Sequence, residues 1–276
     1  RPRTWRRASG YSLNYLLPWS ASMPPNWEYP AYPDLKAGHI NLAHLLAGSE
    51  GTLGILSLAT VRLVPLPRHT ILGVLHYTSV PEACDAVVDL LATGPSAIEL
   101  IPQTILRAAR SLPAYACLLD WVQGDPQALL VVEYSGNDQD QLRQQVRSLG
   151  DEVVIAETAA DQKKIWSVRK VGLGLLNARH GQPKPVAFIE DLAVPVERLA
   201  EFVRAMDTIL HSYATTAEIY AHASAGCLHI RPILDMKLPA GRASMRAIAQ
   251  EAVRLTIQLG GSVSGEHGVG LARSEW

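Results

Sequence analysis

Residues 217–236, AEIYAHASAGCLHIRPILDM, decide how the chain folds: two apolar runs flank a turn of small residues, Ala223-Ser224-Ala225-Gly226. This pattern reads as two strands closing into a hairpin. His222 and His229 lie seven residues apart, a spacing that on one unbroken strand would put them on opposite faces. The small-residue break lets the hairpin bring the two imidazoles together. Converging neutral imidazoles are good ligands for a divalent metal of the zinc or manganese type. Taken alone, the pair fits two unrelated strand histidines better.

Toward the C-terminus, Gly241 to Leu259 has helical character, and the chain then enters GGSVSGEHGVG, residues 260–270. Glycines on both sides of Glu266 and His267 let the backbone approach a ligand closely and take positive φ. Glu266 would be a third, anionic metal ligand that leaves a coordination position open, as catalytic sites require. His267 would then be a base within reach. Read by itself, the loop is equally a glycine turn with a solvated charge. Two histidines, a glutamate and an adjacent histidine within 46 residues favour a site.

Between His69 and about Thr216, strand and helix patterns alternate on a short pitch. Strands are expected over 71–78, 96–101, 128–136, 151–158 and 186–194, and helices over 81–94, 102–112, 137–150, 159–180 and 196–213. Pro102 opens the second of these helices, and Asn137 or Asp138 caps the third. The alternation predicts an α+β fold, an antiparallel or mixed sheet covered on one face by helices. Arg169 sits in IWSVRKVGLGLL, residues 165–176, among apolar neighbours. It either binds a carboxylate bidentately or, more commonly for such an arginine, snorkels to solvent or pairs with a local acid.

The first 67 residues read differently. Prolines and aromatics crowd residues 10–35 and predict a loop. A short helix from Ile40 to Leu46 follows, then Gly48-Ser49-Glu50-Gly51-Thr52-Leu53-Gly54-Ile55, then a strand Ala59–Val64 ended by Pro65 and Pro67. The glycine loop presents N–H groups to an anion. It matches neither common nucleotide loop, and a structural turn reads as well. A chain that lacks an initial Met and stops at LARSEW suggests that both ends are cut.

Apolar residues make up 48% and charged residues 18%, with a formal net charge of −1. That balance gives no electrostatic reason to expect nucleic acid as a partner. Cys84, Cys117 and Cys227 are too scattered for a disulfide framework or a metal knuckle, so a reducing, cytoplasmic setting is expected, or one peripheral to an inner membrane.

Five segments, in order along the chain, resemble the FAD-linked oxidase family of the vanillyl-alcohol-oxidase type, which includes D-lactate dehydrogenases, the flavin subunit of glycolate oxidase and D-2-hydroxyglutarate dehydrogenase. They are SGYSLNYLL (9–17), LLAGSEGTLGILSLATVRLVPLP (45–67), IWSVRK (165–170), AHASAGCLHIRP (221–232) and GGSVSGEHGVG (260–270). The resemblance implies the C-terminal part of an FAD-binding domain over 1–67, an antiparallel-sheet substrate domain over 68–239, and a C-terminal helix with the Gly-Glu-His-Gly loop over 240–276. It implies metal ligation by His222, His229 and Glu266, a base at His267, a substrate arginine at Arg169, and FAD contacts from Gly48, Ser49, Glu50, Gly51, Thr52, Gly54 and Ile55.

The family's Asp-Gly-Asn between the histidines is Ala225-Gly226-Cys227 here, which puts the substrate in doubt. That departure, with CLHIRP and GLARSEW, points to the bacterial subfamily whose flavin unit is followed by an iron–sulfur domain. The implied reaction is FAD-dependent oxidation of a D-2-hydroxy acid, with a quinone, a carrier protein or an iron–sulfur domain as electron acceptor. A homo-oligomer is compatible with it. The competing reading is a flavin-free or degenerate binding subunit of a flavoenzyme complex.

Overall fold

In the computed structural model of the chain, residues 2–13, 42–61, 63–177 and 181–276 are described. Most of the proline-rich stretch and the start of the helix expected at Ile40 lie outside them. The described part of that helix is α1 (Ala43–Ala47). The body of the molecule then runs β1 (His69–Tyr77), α2 (Val80–Ala92), β2 (Ala97–Pro102), α3 (Gln103–Arg110), α4 (Pro113–Ala116), β3 (Ala128–Gly136), α5 (Gln139–Arg147), β4 (Val154–Ala156) and α6 (Ala159–Asn177). It continues through β5 (Lys184–Pro185), β6 (Ile189–Ala193), α7 (Leu199–Ser212), the hairpin β7 (Ala217–His222) and β8 (Cys227–Leu234), α8 (Pro239–Gln258) and α9 (Gly270–Arg273).

Local chemistry sets the boundaries. Ser79 caps α2 by accepting the Glu82 N–H, and the Glu82 carboxylate reaches back to the Thr78 N–H, a reciprocal pair that satisfies donors no helical turn can use. Asp138, rather than Asn137, caps α5 through the N–H groups of Asp140 and Gln141. Pro102 ends β2 and sits at the cap of α3, one position ahead of the first turn where it was expected.

The strands form one antiparallel sheet in the order β4-β1-β3-β2-β7-β8-β5, with β6 also paired to β8. Both faces of its centre are buried, which is why ALLVV in β3 reads as a continuous apolar run rather than an alternating one. The larger helical layer, α2, α5, α7 and α8, lies on one face and closes the main core around Val87, Val146, Phe202, Met206 and Ile248. A second, smaller layer that the periodicity did not reveal packs on the opposite face, where Ile105, Leu106, Ile165 and Val168 of α3 and α6 meet Leu72, Val74, Leu129 and Val131. On that second face, the neighbouring strands β2, β7, β8 and β6 carry charged and aromatic side chains where the core ends.

The strand expected over Ala59–Val64 is absent among the described residues. The described residues from 54 to 67 have no regular secondary structure, and Ile55, Leu58, Val61, Leu63 and Leu66 are exposed. Strand-forming residues need a neighbouring edge to complete the hydrogen-bond ladder, and this stretch pairs with no strand among the described residues.

Candidate active site

The hairpin is built as its composition demands. Gly226 takes φ +64° at the turn, and a Cβ there would lie 2.0 Å from the carbonyl oxygen of Val194, so only glycine fits. Register then fixes neighbours: His222 faces Glu99 of β2, and His229 lies between Tyr220 of β7 and Glu190 of β6. The two imidazoles meet edge to face with centroids 5.3 Å apart, as the broken-strand reading requires.

The Gly-Glu-His-Gly loop is placed by a residue with no recognisable signal in the sequence. A register shift between Glu190 and Leu192 leaves Asp191 at φ +79°, and its fully buried carboxylate points into the loop. Bulges re-aim a side chain in this way, and aspartate tolerates the left-handed region better than most residues. The carboxylate accepts the Ser264 hydroxyl at 2.7 Å and the backbone N–H groups of Glu266 and His267, each at 2.9 Å.

Glu266 is thereby set at the centre. Its Oε1 lies 3.3 Å from His222 Nε2, 3.4 Å from His229 Nε2 and 3.6 Å from His267 Nε2. Its Oε2 is ion-paired with Arg6. Hydrogen bonds from His222 and His229, with Arg6 beside them, hold the Glu266 carboxyl far below the usual carboxylate range. In return Glu266, together with Glu99, pushes His222 up to about 9.

His229 is buried and stacks on Tyr220 at 4.6 Å and on His267 at 5.4 Å. Burial raises the Tyr220 phenol to about 12, so it stays neutral at ordinary pH. His267 is the accessible imidazole, its side chain 41% exposed, with Arg273 Nη2 3.4 Å from Nδ1.

These donors fit a divalent cation. Around a tetrahedral ion with bonds of about 2.0–2.1 Å, ligand atoms stand roughly 3.3 Å apart, which matches the spacing of Glu266 Oε1 from both Nε2 atoms. Two other clusters lie nearby, Glu190-His229-His267 and Asp191-Cys227-Glu266. They are poorer sites. Glu190 is ion-paired with Arg231 at 2.6 Å, Asp191 is occupied by the loop, and burial pushes the Cys227 thiol up.

Arg169 on α6 pairs with a local acid, one of its expected fates. Its Nη2 and Nε donate to Glu99 Oε2 at 2.9 and 3.2 Å, and its guanidinium lies 4.8 Å over the Tyr220 ring. The glycine loop 48–55 joins the site through Glu50, whose carboxylate accepts the N–H groups of Val269 and Gly270 at 2.7 and 3.0 Å. The Ser49 hydroxyl donates to the Leu46 carbonyl of α1 and the Thr52 hydroxyl to the Ser49 carbonyl, while Gly51 and Gly54 have open space where a Cβ would stand and Ile55 is almost fully exposed.

Glu99, Asp191, Glu190 and Arg6 were not among the expected site residues. Period-two alternation in AIELIP and AFIEDLAV marks Glu99 and Glu190 as pointing away from the main core. A strand acid on that side reads first as solvated, and nothing in the sequence distinguishes Asp191 or Arg6.

Residues 66–276 match the family model described as FAD linked oxidases, C-terminal domain. The chain is 31% identical to D-2-hydroxyglutarate dehydrogenase of Pseudomonas putida over 87% of its own length and 25% of that protein's. It is 27% identical to the mitochondrial D-lactate dehydrogenase [cytochrome] of Arabidopsis thaliana, covering 87% of this chain and 42% of that one. It is 29% identical to the glycolate oxidase subunit GlcD of Bacillus subtilis, covering 83% and 49%. The chain thus spans between a quarter and a half of these relatives. Among solved structures it resembles p-cresol methylhydroxylase with a TM-score of 0.50 at 14% identity, over 76% of this chain and 46% of that one, a likeness of fold alone. No helix among the described residues is long and apolar enough to cross a membrane.

Proposed function

The chain belongs to the FAD-linked oxidases, as their C-terminal domain, and from that premise we propose that it forms the substrate side of an enzyme oxidising a D-2-hydroxy acid to a 2-oxo acid. The observation that carries this reading is the convergence of His222 Nε2 and His229 Nε2 on Glu266 Oε1, with the accessible imidazole of His267 beside them. Relatives named for D-2-hydroxyglutarate, D-lactate and glycolate share one chemical unit, a hydroxyl next to a carboxylate.

FAD, when bound, supplies the hydride acceptor, and a divalent cation held by His222, His229 and Glu266 supplies Lewis acidity toward the substrate hydroxyl. His267 takes the hydroxyl proton at a ring nitrogen, since it is the one imidazole of the cluster both exposed and next to the triad. Arg169 receives a substrate carboxylate. Among the described residues its Nη1 has no hydrogen-bond acceptor, whereas Nη2 and Nε are held by Glu99. Tyr220 walls the site as a neutral ring under His229 and Arg169. The exposed Gly51–Ile55 stretch would contact the cofactor, beside Glu50, which fixes that loop to the Gly-Glu-His-Gly loop. The electron acceptor is a quinone, a carrier protein or an iron–sulfur domain.

The test is anaerobic mixing of the flavin-loaded protein with D-2-hydroxy acids of increasing length. Bleaching of the flavin band near roughly 450 nm by one of them is the expected result. A protein without that band, or one whose band no D-2-hydroxy acid bleaches, would instead favour a binding subunit.

A further inference from the structure

We propose that Glu99 is a positioning residue that orients His222 as a metal ligand and is itself held in place by Arg169. The inference rests on the functional reading above, in which His222 contributes Nε2 to a divalent cation.

Glu99 uses its two oxygens on two different partners. Oε1 lies 2.7 Å from His222 Nδ1, and Oε2 receives Nη2 and Nε of Arg169 at 2.9 and 3.2 Å. The Glu99 and Arg169 side chains are each only 14% exposed, so water competes weakly for either contact. The backbone fixes the arrangement from below. Glu99 and His222 are direct register partners across β2 and β7, and the Ile98 N–H donates to Ser224 Oγ in the hairpin turn at 3.1 Å.

A proton held on His222 Nδ1 by a carboxylate leaves Nε2, 3.3 Å from Glu266 Oε1, as the ring nitrogen that would offer its lone pair to a cation between the two. The same bond makes the imidazole a better donor to a metal, and partners of this kind usually govern affinity almost as strongly as the ligands do. Arg169, holding Glu99 Oε2 through two N–H groups, stops it rotating toward solvent.

A merely structural role for Glu99 would be to neutralise the largely covered Arg169, and the two roles separate on substitution. Glutamine preserves size but replaces one acceptor oxygen with a donor NH2. Both neighbours of Glu99 donate, so a glutamine amide can satisfy only one of them. Aspartate keeps both acceptors on a side chain one methylene shorter.

The experiment measures Zn2+ affinity of the full chain, by competition with a chromophoric chelator, alongside its thermal melting. Wild type is expected to bind one zinc ion, E99Q to bind it about 10–100-fold more weakly with melting close to wild type, and E99D to recover part of the loss. E99Q binding zinc as tightly as wild type while His222→Ala does not would overturn the proposal and leave the metal site standing. Affinity lost only in step with melting, and not recovered by E99D, would also overturn it, because Glu99 would then be structural. If E99Q does not fold, E99D decides alone: weaker binding at normal melting supports the proposal, and unchanged binding overturns it. A wild-type chain that binds no zinc overturns the metal reading itself, and the proposal with it.

Discussion

The carboxylate of Asp191 accepts the backbone N–H of His267 at 2.9 Å, so a strand bulge 76 residues upstream holds the Gly-Glu-His-Gly loop by its main chain. The same carboxylate takes the Glu266 N–H and the Ser264 hydroxyl. Asp191→Asn isolates the charge, because asparagine tolerates φ +79° equally well. Loss of these charge-assisted bonds in a fully buried setting should lower stability by about 2–3 kcal/mol in urea unfolding. A loss under about 0.5 kcal/mol, the size of an ordinary surface change, would mean that the loop is held by something else.

Gly226→Ala should be at least as damaging, for a steric reason. The added methyl group would lie 2.0 Å from the Val194 carbonyl in a residue at φ +64°, so the hairpin must shift. A cost of about 2 kcal/mol or more is expected, together with weaker zinc binding, since the turn sets the distance between His222 and His229. Unchanged melting and unchanged zinc affinity would contradict this account of the turn.

Much of the fold was legible because apolar periodicity reports what is buried. Apart from the short α4 and β5, the strands and helices from His69 to Leu259, and the hairpin that joins His222 to His229, follow from it directly. Two features escaped for physical reasons. The smaller helical layer of α3 and α6 covers a face whose residues Leu129 and Val131 alternate with Leu130 and Val132, equally apolar and buried in the main core on the other face, so periodicity cannot tell one buried face from two. The site's supporting carboxylates escaped because Glu99 and Asp191 act through partners 123 and 76 residues away, a distance no local pattern encodes.

Thiol chemistry offers an independent check on burial. Cys84 and Cys227 are buried and Cys117 is exposed. Burial pushes Cys84 up to about 12, so it carries almost no thiolate at neutral pH, and Cys227 is pushed up in the same direction. Titration with a thiol reagent at pH 8 should therefore find one fast thiol in the native chain and three in denaturant, with Cys117→Ser abolishing the fast phase. Two fast thiols in the native protein would place Cys84 or Cys227 at the surface.

The apolar stretch between Leu53 and Leu66 makes a different prediction. Ile55 is 98% exposed and Leu66 88%, far beyond what scattered surface residues contribute. The chain by itself should bind an environment-sensitive apolar dye, and replacing Ile55, Leu58 and Leu63 with serine should reduce that binding with little change in melting. A large fall in melting would reveal that these side chains support the sheet after all.

His267→Ala tests the chemistry most directly, because it separates proton transfer from metal binding. His267 lies 3.6 Å from Glu266 and stacks on His229, yet its own position is set by its backbone N–H on Asp191 and not by its ring. Removing the imidazole should therefore leave the His222-His229-Glu266 donor set in place, and zinc affinity should remain near wild type. Turnover of the flavin-loaded enzyme should fall at least about a hundredfold in kcat, the usual scale for losing a positioned base. If the loss were in zinc affinity rather than kcat, His267 would be a ligand; if neither changed, the proton would have to leave by another group.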